Sequence, residues 1–414
     1  MKTAAIIAEY NPFHNGHRYQ IEQTKKLTGA DCILVVMSGD FVQRGAPALC
    51  NKYIRAEMAL LNGADAVLEL PALYAVSSAE YFAQGSVCLL NSLGAVDILS
   101  FGSESGDISL IRSLAKELIS HSASYDAEIR RLLKEGLSFP AARQKAAASL
   151  CSSEALMKEP NNILGLEYCK ALYASESTIA PFTLKRAGSG YHNPSLPSLL
   201  EEAPFCSASA VRDALTKNRG AKLASHVPES VYNLLKKQQL FKNHMRADDF
   251  SALLHYKLIS EKESGFDGYL DCSPDISEKI CKNLGSFTTF SDFCGLLKSK
   301  DLTYTRISRI LLHILLGLTV PECFLPAFTE RLLPVSYARL LGFRRDCAPL
   351  LSHIKKNSSI PLISKLADAP ALLDKEALSL LRFDIRCSDI YEAVYFHKTG
   401  EAPLNEYRQS PIIL

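Results

Sequence analysis

The sequence lacks long apolar runs and an excess of charge of one sign. An apolar stretch over residues 3–8 ends at Glu9, which makes it shorter than a secretory signal peptide. The longest later run, residues 310–320, contains His313 and is too short to span a bilayer. We therefore expect a cytoplasmic protein with no membrane segment.

Closely spaced cysteines are also missing. The chain has 12 cysteines, but the nearest pair, Cys272 and Cys281, lies far outside the Cys-x-x-Cys spacing of zinc and redox sites. Most cysteines stand among apolar residues, as Cys88 does. This pattern predicts reduced thiols that pack as small core residues, and it predicts no structural metal.

The remaining composition is that of a globular protein. Of the 414 residues, 47% are hydrophobic and 22% are charged, and the length suggests two or three domains. The formal net charge is only +2. Any surface that binds nucleic acid must therefore be a local basic patch.

The first part of the chain alternates short apolar runs with amphipathic stretches. The expected strands are 4–8, 32–37, 66–70 and 97–101, and the expected helices are 17–27, 51–61, 80–93 and 108–119. Uninterrupted apolar strands in this alternation indicate a parallel, Rossmann-like sheet that helices cover on both faces. Ligands bind such sheets at the carboxyl ends of the strands.

The rest of the chain is read mainly as helix. We expect helices within 127–175 and over 209–215, 250–259, 305–316, 337–341 and 375–381, with a strand over 178–184 and a polar linker that ends at Asp249. The resulting prediction is an α/β fold with two domains. Residues 1–240 are expected to form the α/β domain with a helical insertion at about 120–175, and residues 241–414 are expected to form a helical domain.

Residues 6–17, IIAEYNPFHNGH, carry the strongest functional signal. They run from the first strand to the start of the first helix, where free amides and the helix dipole favour phosphate. Gly16 removes a Cβ where backbone approaches a ligand. His14 and His17 can lie on one side of the first turn and donate hydrogen bonds to phosphate oxygens as charge builds at the α-phosphorus. Two histidines that cap a helix and fill a crevice would look the same.

This turn resembles the His-x-Gly-His nucleotidyltransferase superfamily, whose members attack the α-phosphate of ATP and release pyrophosphate. Residues 205–212, FCSASAVR, are similar to a second motif of that superfamily. Ser209 is expected to cap the helix that it opens, and Arg212 is expected to bind the triphosphate. An ordinary N-cap followed by a surface arginine is the alternative.

Further segments resemble the bacterial tRNA(Met) cytidine acetate ligase family, and the likeness extends over the whole chain. These segments are residues 9–13, 38–45, 101–102, 160–164 and 185–186. The resemblance implies that acetate and ATP form acetyl-adenylate, and that the acetyl group then moves to the wobble cytidine of elongator tRNA(Met). We expect Mg²⁺ to arrive with ATP, and we expect no obligate protein partner.

The resemblance also implies which residues bind ATP. Gly102 follows the fourth strand and Arg186 follows a late strand, which suits ligand contacts at the sheet edge. Arg186 can instead be a solvated charge, and Asn162 can be an N-cap. The implied set is Ile7, Ala8, Glu9, Tyr10, Asn11, Pro12, Phe13, His14, Asn15, Gly16, His17, Arg18, Tyr19, Gln20, Gly102, Asn162, Arg186, Ser209 and Arg212.

Asp40 lies just beyond the second strand, in a loop flanked by glycine. The amine of cytosine is a poor nucleophile, and a carboxylate that accepts one of its protons would help it attack an acyl carbon. Asp40 is therefore a candidate general base, although it can also bind Mg²⁺ or cap the turn. On the next helix, Lys52 and Arg55 are candidate phosphate contacts or solvated face residues.

A locally basic stretch lies in the C-terminal part. Such a stretch in a near-neutral protein suits contacts with the tRNA backbone, although solvated helix faces have the same composition. The candidate tRNA-binding residues are Arg306, Arg309, Arg339, Arg344, Arg345, Lys355 and Lys356.

Two other functions fit the same signals. One is a nucleotidyltransferase that adenylylates a small phosphorylated metabolite and needs no tRNA. The other is a protein that binds RNA or nucleotide without catalysis, and it predicts ATP binding without pyrophosphate exchange.

Overall fold

A computed structural model describes residues 1–150, 154–186, 205–319 and 335–414. Its strands form one large sheet and one small hairpin. In chain order they are Thr3–Ala8 (β1), Cys32–Ser38 (β2), Phe41–Val42 (β3), Ala46–Pro47 (β4), Ala66–Leu70 (β5), Ile98–Ser103 (β6), Ala180–Lys185 (β7), Ala338–Phe343 (β8), Leu362–Ile363 (β9) and Ile412–Ile413 (β10).

Helices make up most of the remaining described chain. They are Asn15–Thr28 (α1), Lys52–Leu61 (α2), Ala72–Ala75 (α3), Ala79–Leu93 (α4), Ile108–Ser120 (α5), Ser122–Lys134 (α6), Phe139–Leu150 (α7), Pro160–Ala174 (α8), Ala208–Thr216 (α9), Glu229–Lys237 (α10), Leu240–Asn243 (α11), Ser251–Glu261 (α12), Pro274–Asn283 (α13), Phe290–Leu297 (α14), Tyr304–Leu316 (α15), Ala348–Asn357 (α16), Ala369–Leu372 (α17) and Lys375–Thr399 (α18). Within the described ranges, no helix is both long and apolar enough to cross a membrane.

The large sheet has the order β10-β8-β5-β2-β1-β6-β7, with β9 beside β8. The five strands from β5 to β7 are all parallel. The chain leaves β1 toward β2 and β5 and then returns to place β6 on the other side of β1. The switch point therefore lies between β1 and β6, where a ligand crevice is expected at the carboxyl ends. The predicted α/β fold with a parallel sheet is confirmed.

Side chains alternate along the strands and build a core on each face of the sheet. Ala5 and Leu34 belong to one core, which α4, α5 and α8 cover. Ala4 and Val35 belong to the other, which α1, α2, α9 and α10 cover. All of β2 is buried, whereas β1 becomes half-buried at Ile7 and Ala8. The sheet is therefore accessible at the carboxyl end of β1.

The segment after residue 240 contributes strands as well as helices. The helix predicted over 337–341 is wrong, because Ala338–Phe343 is a strand that pairs antiparallel with β5. A short apolar run can form either a buried strand or a buried helix, and its periodicity does not show which of the two it forms. The sheet thus extends across the predicted boundary at 240–241, and the division into two domains stays a prediction.

The polar stretch that the sequence predicts as a linker packs against the rest of the chain. It includes α11, and the Nζ of Lys398 on α18 donates hydrogen bonds to the carbonyl of His244 and to the carboxylate of Asp249, each at 2.7 Å. Between residues 120 and 175, helices α6, α7 and α8 occupy the expected helical insertion.

Candidate active site

The imidazole of His14 caps helix α1. Its backbone is extended (φ −142°), and its Nδ1 accepts a hydrogen bond from the N–H of Gly16 at 3.1 Å. The Nδ1 of His17 accepts from the N–H of His14 at 3.2 Å, which completes a reciprocal capping box. Both histidines thus cap the helix, and the same rings also line a cavity.

These two hydrogen bonds fix the tautomer of the neutral rings. Because each Nδ1 accepts, the proton of each neutral ring lies on Nε2. Burial, with the nearby Arg186 and Arg212 guanidinium groups, lowers the pKa of His14 to about 3. Burial, followed by His14 and Arg186, lowers the pKa of His17 well below its usual range. Both rings are therefore neutral donors at physiological pH.

Packing leaves the two rings little freedom. The rings of His14 and His17 are stacked with their centroids 3.7 Å apart, and Tyr10 meets His17 edge-on at 4.8 Å. Phe13 is fully buried beneath them. A Cβ on Gly16 would lie 2.9 Å from the His14 ring, so glycine here makes room for that ring rather than only for a ligand.

The second motif begins helix α9. The N-cap is Ser207, whose side chain accepts from the N–H of Ala210, so the expected cap at Ser209 is wrong by two residues. Ser209 instead accepts a hydrogen bond from Nη2 of Arg212 at 3.1 Å. Nη1 of Arg212 donates to the carbonyl of Asn11 at 2.6 Å, which ties the two motifs together across the cavity.

One cleft at the carboxyl end of β1 brings most of the predicted ATP-binding residues together. Its main lobe and a second lobe share His14, His17, Gln20, Gly102 and Arg186. From the predicted set the main lobe also has Ile7, Ala8, Glu9, Tyr10, Asn11, Ser209 and Arg212, and the second lobe has Gly16 and Tyr19.

The remaining members of the predicted set lie outside the cleft lining. Arg18 is exposed and pairs with Glu22 at 2.7 Å. Asn15 donates its side-chain amide to the carbonyl of Ser225 at 3.0 Å. The residues that do not line either lobe are Pro12, Phe13, Asn15, Arg18 and Asn162.

Asn162 has a structural role beside the cleft. It is buried, and its Oδ1 accepts from the N–H of Ser105 at 3.0 Å, which holds the loop after β6. Its neighbour Asn161 lines the cleft and approaches Nη1 of Arg186 at 3.5 Å. Asn161 rather than Asn162 therefore lines the cleft, and ATP binding by Asn162 stays a prediction.

Asp40 does not reach the cleft. The residue is only 4% exposed, Oδ1 accepts from the N–H of Lys52 at 2.7 Å, and Oδ2 accepts from the hydroxyl of Ser388 at 2.8 Å. A carboxylate with both oxygens engaged in the interior cannot take a proton from a nucleobase. This geometry contradicts the base role. The carboxylate binds the first residue of α2 and Ser388 on α18, so it does not match the alternative of a cap on its own turn either.

Lys52 and Arg55 are also buried rather than solvated or phosphate-binding. Nζ of Lys52 lies 2.9 Å from Glu69 and 3.2 Å from Glu406. Arg55 donates to backbone carbonyls, among them that of Glu9 at 2.7 Å. The guanidinium of Arg55 thus fixes the end of β1 from inside the protein.

Several cleft residues were not predicted. Gln43 and Arg44 enter from the turn between β3 and β4, and the N–H of Gln43 donates to Oε1 of Glu9 at 3.0 Å. The 38–45 segment carries part of the family resemblance, but the sequence suggests a role there only for Asp40. The other unpredicted lining residues are Phe82, Phe101, Asn161, Leu164, Gly165, Tyr168, Leu184, Lys185, Phe205, Cys206, Ser207 and Ala208.

The predicted tRNA-binding residues divide into three groups. Arg339 is 4% exposed and pairs with Glu69 and Glu406, so its predicted RNA contact is wrong. Arg306 and Arg309 both pair with Asp271. Arg344 pairs with Asp346, whereas the exposed residues of the predicted set are Arg345, Lys355 and Lys356.

Two cysteines far apart in the chain come together with a carboxylate. Cys32, Cys347 and Asp65 lie within 4.8 Å of one another, and the thiol of Cys347 is 3.0 Å from Oδ1 of Asp65. Burial and this carboxylate raise the pKa of Cys347. Lys25 already neutralises Asp65 at 3.3 Å, and we assign no metal to this cluster.

Comparisons with known proteins agree with this geometry. The model of the HIGH Nucleotidyl Transferase family matches residues 1–405. The chain is 38% identical over 423 residues to the tRNA(Met) cytidine acetate ligase of Clostridium perfringens (strain ATCC 13124), covering 100% of both. It is 39% identical over 417 residues to the protein of the same name from Caldicellulosiruptor saccharolyticus, covering 100% of this chain and 99% of the relative.

A solved structure matches the whole fold. The crystal structure of Thermotoga maritima TmcAL bound with alpha-thio ATP superimposes with a TM-score of 0.89 and 28% sequence identity over 100% of both chains. The apo form of the same protein gives a TM-score of 0.90. The chain therefore belongs to the HIGH nucleotidyl transferase family and, within it, to the group of proteins named tRNA(Met) cytidine acetate ligase.

Proposed function

We propose that this chain is an ATP-dependent ligase that acetylates the wobble cytidine of elongator tRNA(Met). A carboxylate oxygen of acetate attacks the α-phosphorus of ATP, and pyrophosphate leaves. The N(4) amine of the cytidine then attacks the acyl carbon, loses a proton and displaces AMP. The observation that carries this proposal is the pair of neutral, Nε2-protonated histidines at the N-terminus of α1, beside Arg186 and Arg212.

This arrangement suits the phosphates of ATP for three reasons. The N-termini of α1 and α9 both open into the cleft and favour anions. Nε2–H groups of His14 and His17 are fixed donors, and they require no reorganisation as negative charge develops on the α-phosphate. The guanidinium groups of Arg186 and Arg212 supply the positive charge for the leaving pyrophosphate.

Mg²⁺ is proposed to arrive as part of the ATP substrate. Among the lining residues that the structure describes, Glu9 carries the only carboxylate. Mg²⁺ commonly binds through one or two carboxylates and the substrate phosphates. The lining therefore fits a metal held mainly by the triphosphate and its water shell.

Glu9 replaces Asp40 as the proposed proton acceptor for the transfer step. It follows β1 at the mouth of the cleft, and the N–H of Gln43 orients its Oε1 at 3.0 Å. A carboxylate in this position can accept a proton from the cytidine amine as the acyl bond forms. Glu9 lines the cleft together with His14 and His17, whereas the buried Asp40 does not.

The position of the site also bears on tRNA binding. The N–H of Arg344 donates to the carbonyl of Asp65, just before β5, so the Arg344–Arg345 turn lies at the amino edge of the sheet. The cleft lies at the carboxyl edge, about 20 Å away by the length of a six-residue strand. We propose that Arg345, Lys355 and Lys356 contact the tRNA backbone away from the anticodon.

The direct test is to incubate the purified protein with ATP, Mg²⁺, labelled acetate and elongator tRNA(Met), and to analyse the nucleosides by mass spectrometry. We expect acetylation of the wobble cytidine and none when ATP or acetate is omitted. Adenylylation of a phosphorylated metabolite without use of tRNA would replace this proposal with the first alternative. ATP binding with no turnover of any kind would favour the non-catalytic alternative.

A further inference from the structure

The cleft has two chemically different walls. Helices α1 and α9, on one face of the sheet, supply the polar wall with His14, His17 and Arg212. The other face supplies an apolar wall from α4, β6 and α8. Its members are Phe82, Phe101, Leu164 and Tyr168.

The side chains of the apolar wall are tightly packed against the protein core. Phe82, Phe101 and Tyr168 are at most 5% exposed, and the rings of Phe101 and Tyr168 have their centroids 5.6 Å apart. A Cβ on Gly165 would lie 2.5 Å from the Phe101 ring, so α8 already presses against that ring. Interiors packed to this degree do not yield to an added methylene without strain.

The carboxyl end of β1 separates the two walls. Ile7 and Ala8 are half-buried there and line the same cleft. An acid that attacks the α-phosphorus must turn its carboxylate toward the histidines and the phosphate. Its alkyl group must then point away from them, toward the apolar side.

We propose that Phe82, Phe101, Leu164 and Tyr168 form the subsite for the alkyl group of the acid, and that Leu164 sets its depth. Leu164 is the half-buried member of the wall, whereas the three aromatic side chains are part of the core. The methyl group of acetate fits a shallow apolar surface of this kind. A longer acid would need the leucine to move.

This inference rests on the proposed function, because it assigns the acid of that reaction. The experiment measures ATP–pyrophosphate exchange without RNA, with acetate, propionate and butyrate as the only acids. The variants are Leu164→Ala and the milder Leu164→Val, which keeps most of the packing. Leu351→Ala on α16 is the matched control, because Leu351 is also half-buried against the same core.

One methylene in an apolar pocket changes specificity by roughly 10- to 200-fold. The acetate-to-propionate ratio of kcat/KM should therefore fall by about tenfold or more in Leu164→Ala, by less in Leu164→Val, and not in Leu351→Ala. An unchanged ratio in folded Leu164 variants, with normal acetate exchange by the wild type, would overturn the subsite alone. No exchange by the wild type with any of the acids would overturn the proposed function, and the subsite with it.

Discussion

The rings of His14 and His17 stack at 3.7 Å while each Nδ1 accepts a backbone N–H. This relationship makes one pair of side chains both the cap of helix α1 and the source of two fixed Nε2–H donors. Structural and chemical roles are therefore combined in the same two side chains. A substitution must separate them before a loss of activity can be interpreted.

Replacing His14 by asparagine should separate the cap from the chemistry. Asparagine is a favoured N-cap, whereas alanine forfeits the cap and costs about 0.5–2 kcal/mol of stability. We expect His14→Asn and His14→Ala each to slow acetate-dependent exchange by roughly 10² or more, since each loses one donor to the transition state. Only His14→Ala should also lower the midpoint temperature of thermal unfolding, because only that variant loses the cap.

The control for that comparison is His353→Ala, on α16 away from the cleft. It should retain normal exchange. Near-normal exchange in a folded His14→Asn variant would remove His14 from the chemistry and leave it only as a helix cap.

The protonation of the two histidines makes a second prediction. Burial lowers the pKa of His14 to about 3, so the ring should stay neutral from pH 8 down to pH 5. Nitrogen NMR of labelled histidine should report the Nε2–H tautomer for His14 and His17 across this range. The pKa of His14 is lower in the folded protein than in the unfolded chain, so the neutral ring contributes to the stability of the fold above about pH 6.5. This contribution is lost as the pH falls toward 3. A His14 ring that protonates near pH 6.5 would contradict the account.

Glu9→Gln should affect the two half-reactions, acetate activation and acetyl transfer, to different degrees. The amide keeps an oxygen that can accept from Gln43, but it cannot take a proton from the cytidine. We expect exchange with acetate and ATP to stay within a few-fold of wild type, and acetyl transfer to tRNA to fall by roughly 10². The matched variant is Glu22→Gln, which removes an exposed carboxylate paired with Arg18 on α1. Equal losses in both half-reactions would instead place Glu9 in ATP or Mg²⁺ binding.

The exposed basic residues near α16 give a prediction about tRNA. Alanine at Arg345, Lys355 and Lys356 should weaken tRNA binding and reduce its log–log salt slope by about 0.9 for each phosphate that is no longer neutralised. Exchange without tRNA should be unaffected, because these residues lie at the sheet edge opposite the cleft. Alanine at the exposed Lys262, Lys298 and Lys300 removes the same charge as a control. Unchanged affinity and slope in the first variant would make that surface a solvated face.

The local features of the fold were predictable from the sequence. Strand β1, the capped start of α1 and the stop at Gly29 depend on residues close together in the chain, and Gly29 adopts the left-handed conformation (φ 65°) that ends a helix. The His-x-Gly-His turn falls between those two elements. Its place at the carboxyl edge follows from the parallel sheet alone.

Features that depend on distant residues were not predictable. Asp40 and Arg339 resemble functional surface residues in the sequence because their partners, Ser388 and Glu406, lie far along the chain. Their burial is supported by those partners, as buried charge requires. The apolar wall was missed for the opposite reason, since Phe82 and Leu164 have the pattern of ordinary core residues.

Acetate-dependent ATP–pyrophosphate exchange by the purified protein, measured without RNA, tests the central claim most directly. Labelled pyrophosphate should enter ATP when acetate and Mg²⁺ are present and should not enter it when acetate is omitted. The His14→Asn variant should reduce that rate by roughly 10². Exchange that is absent with acetate, or equally fast without it, would contradict the assignment of this cleft to acetate activation.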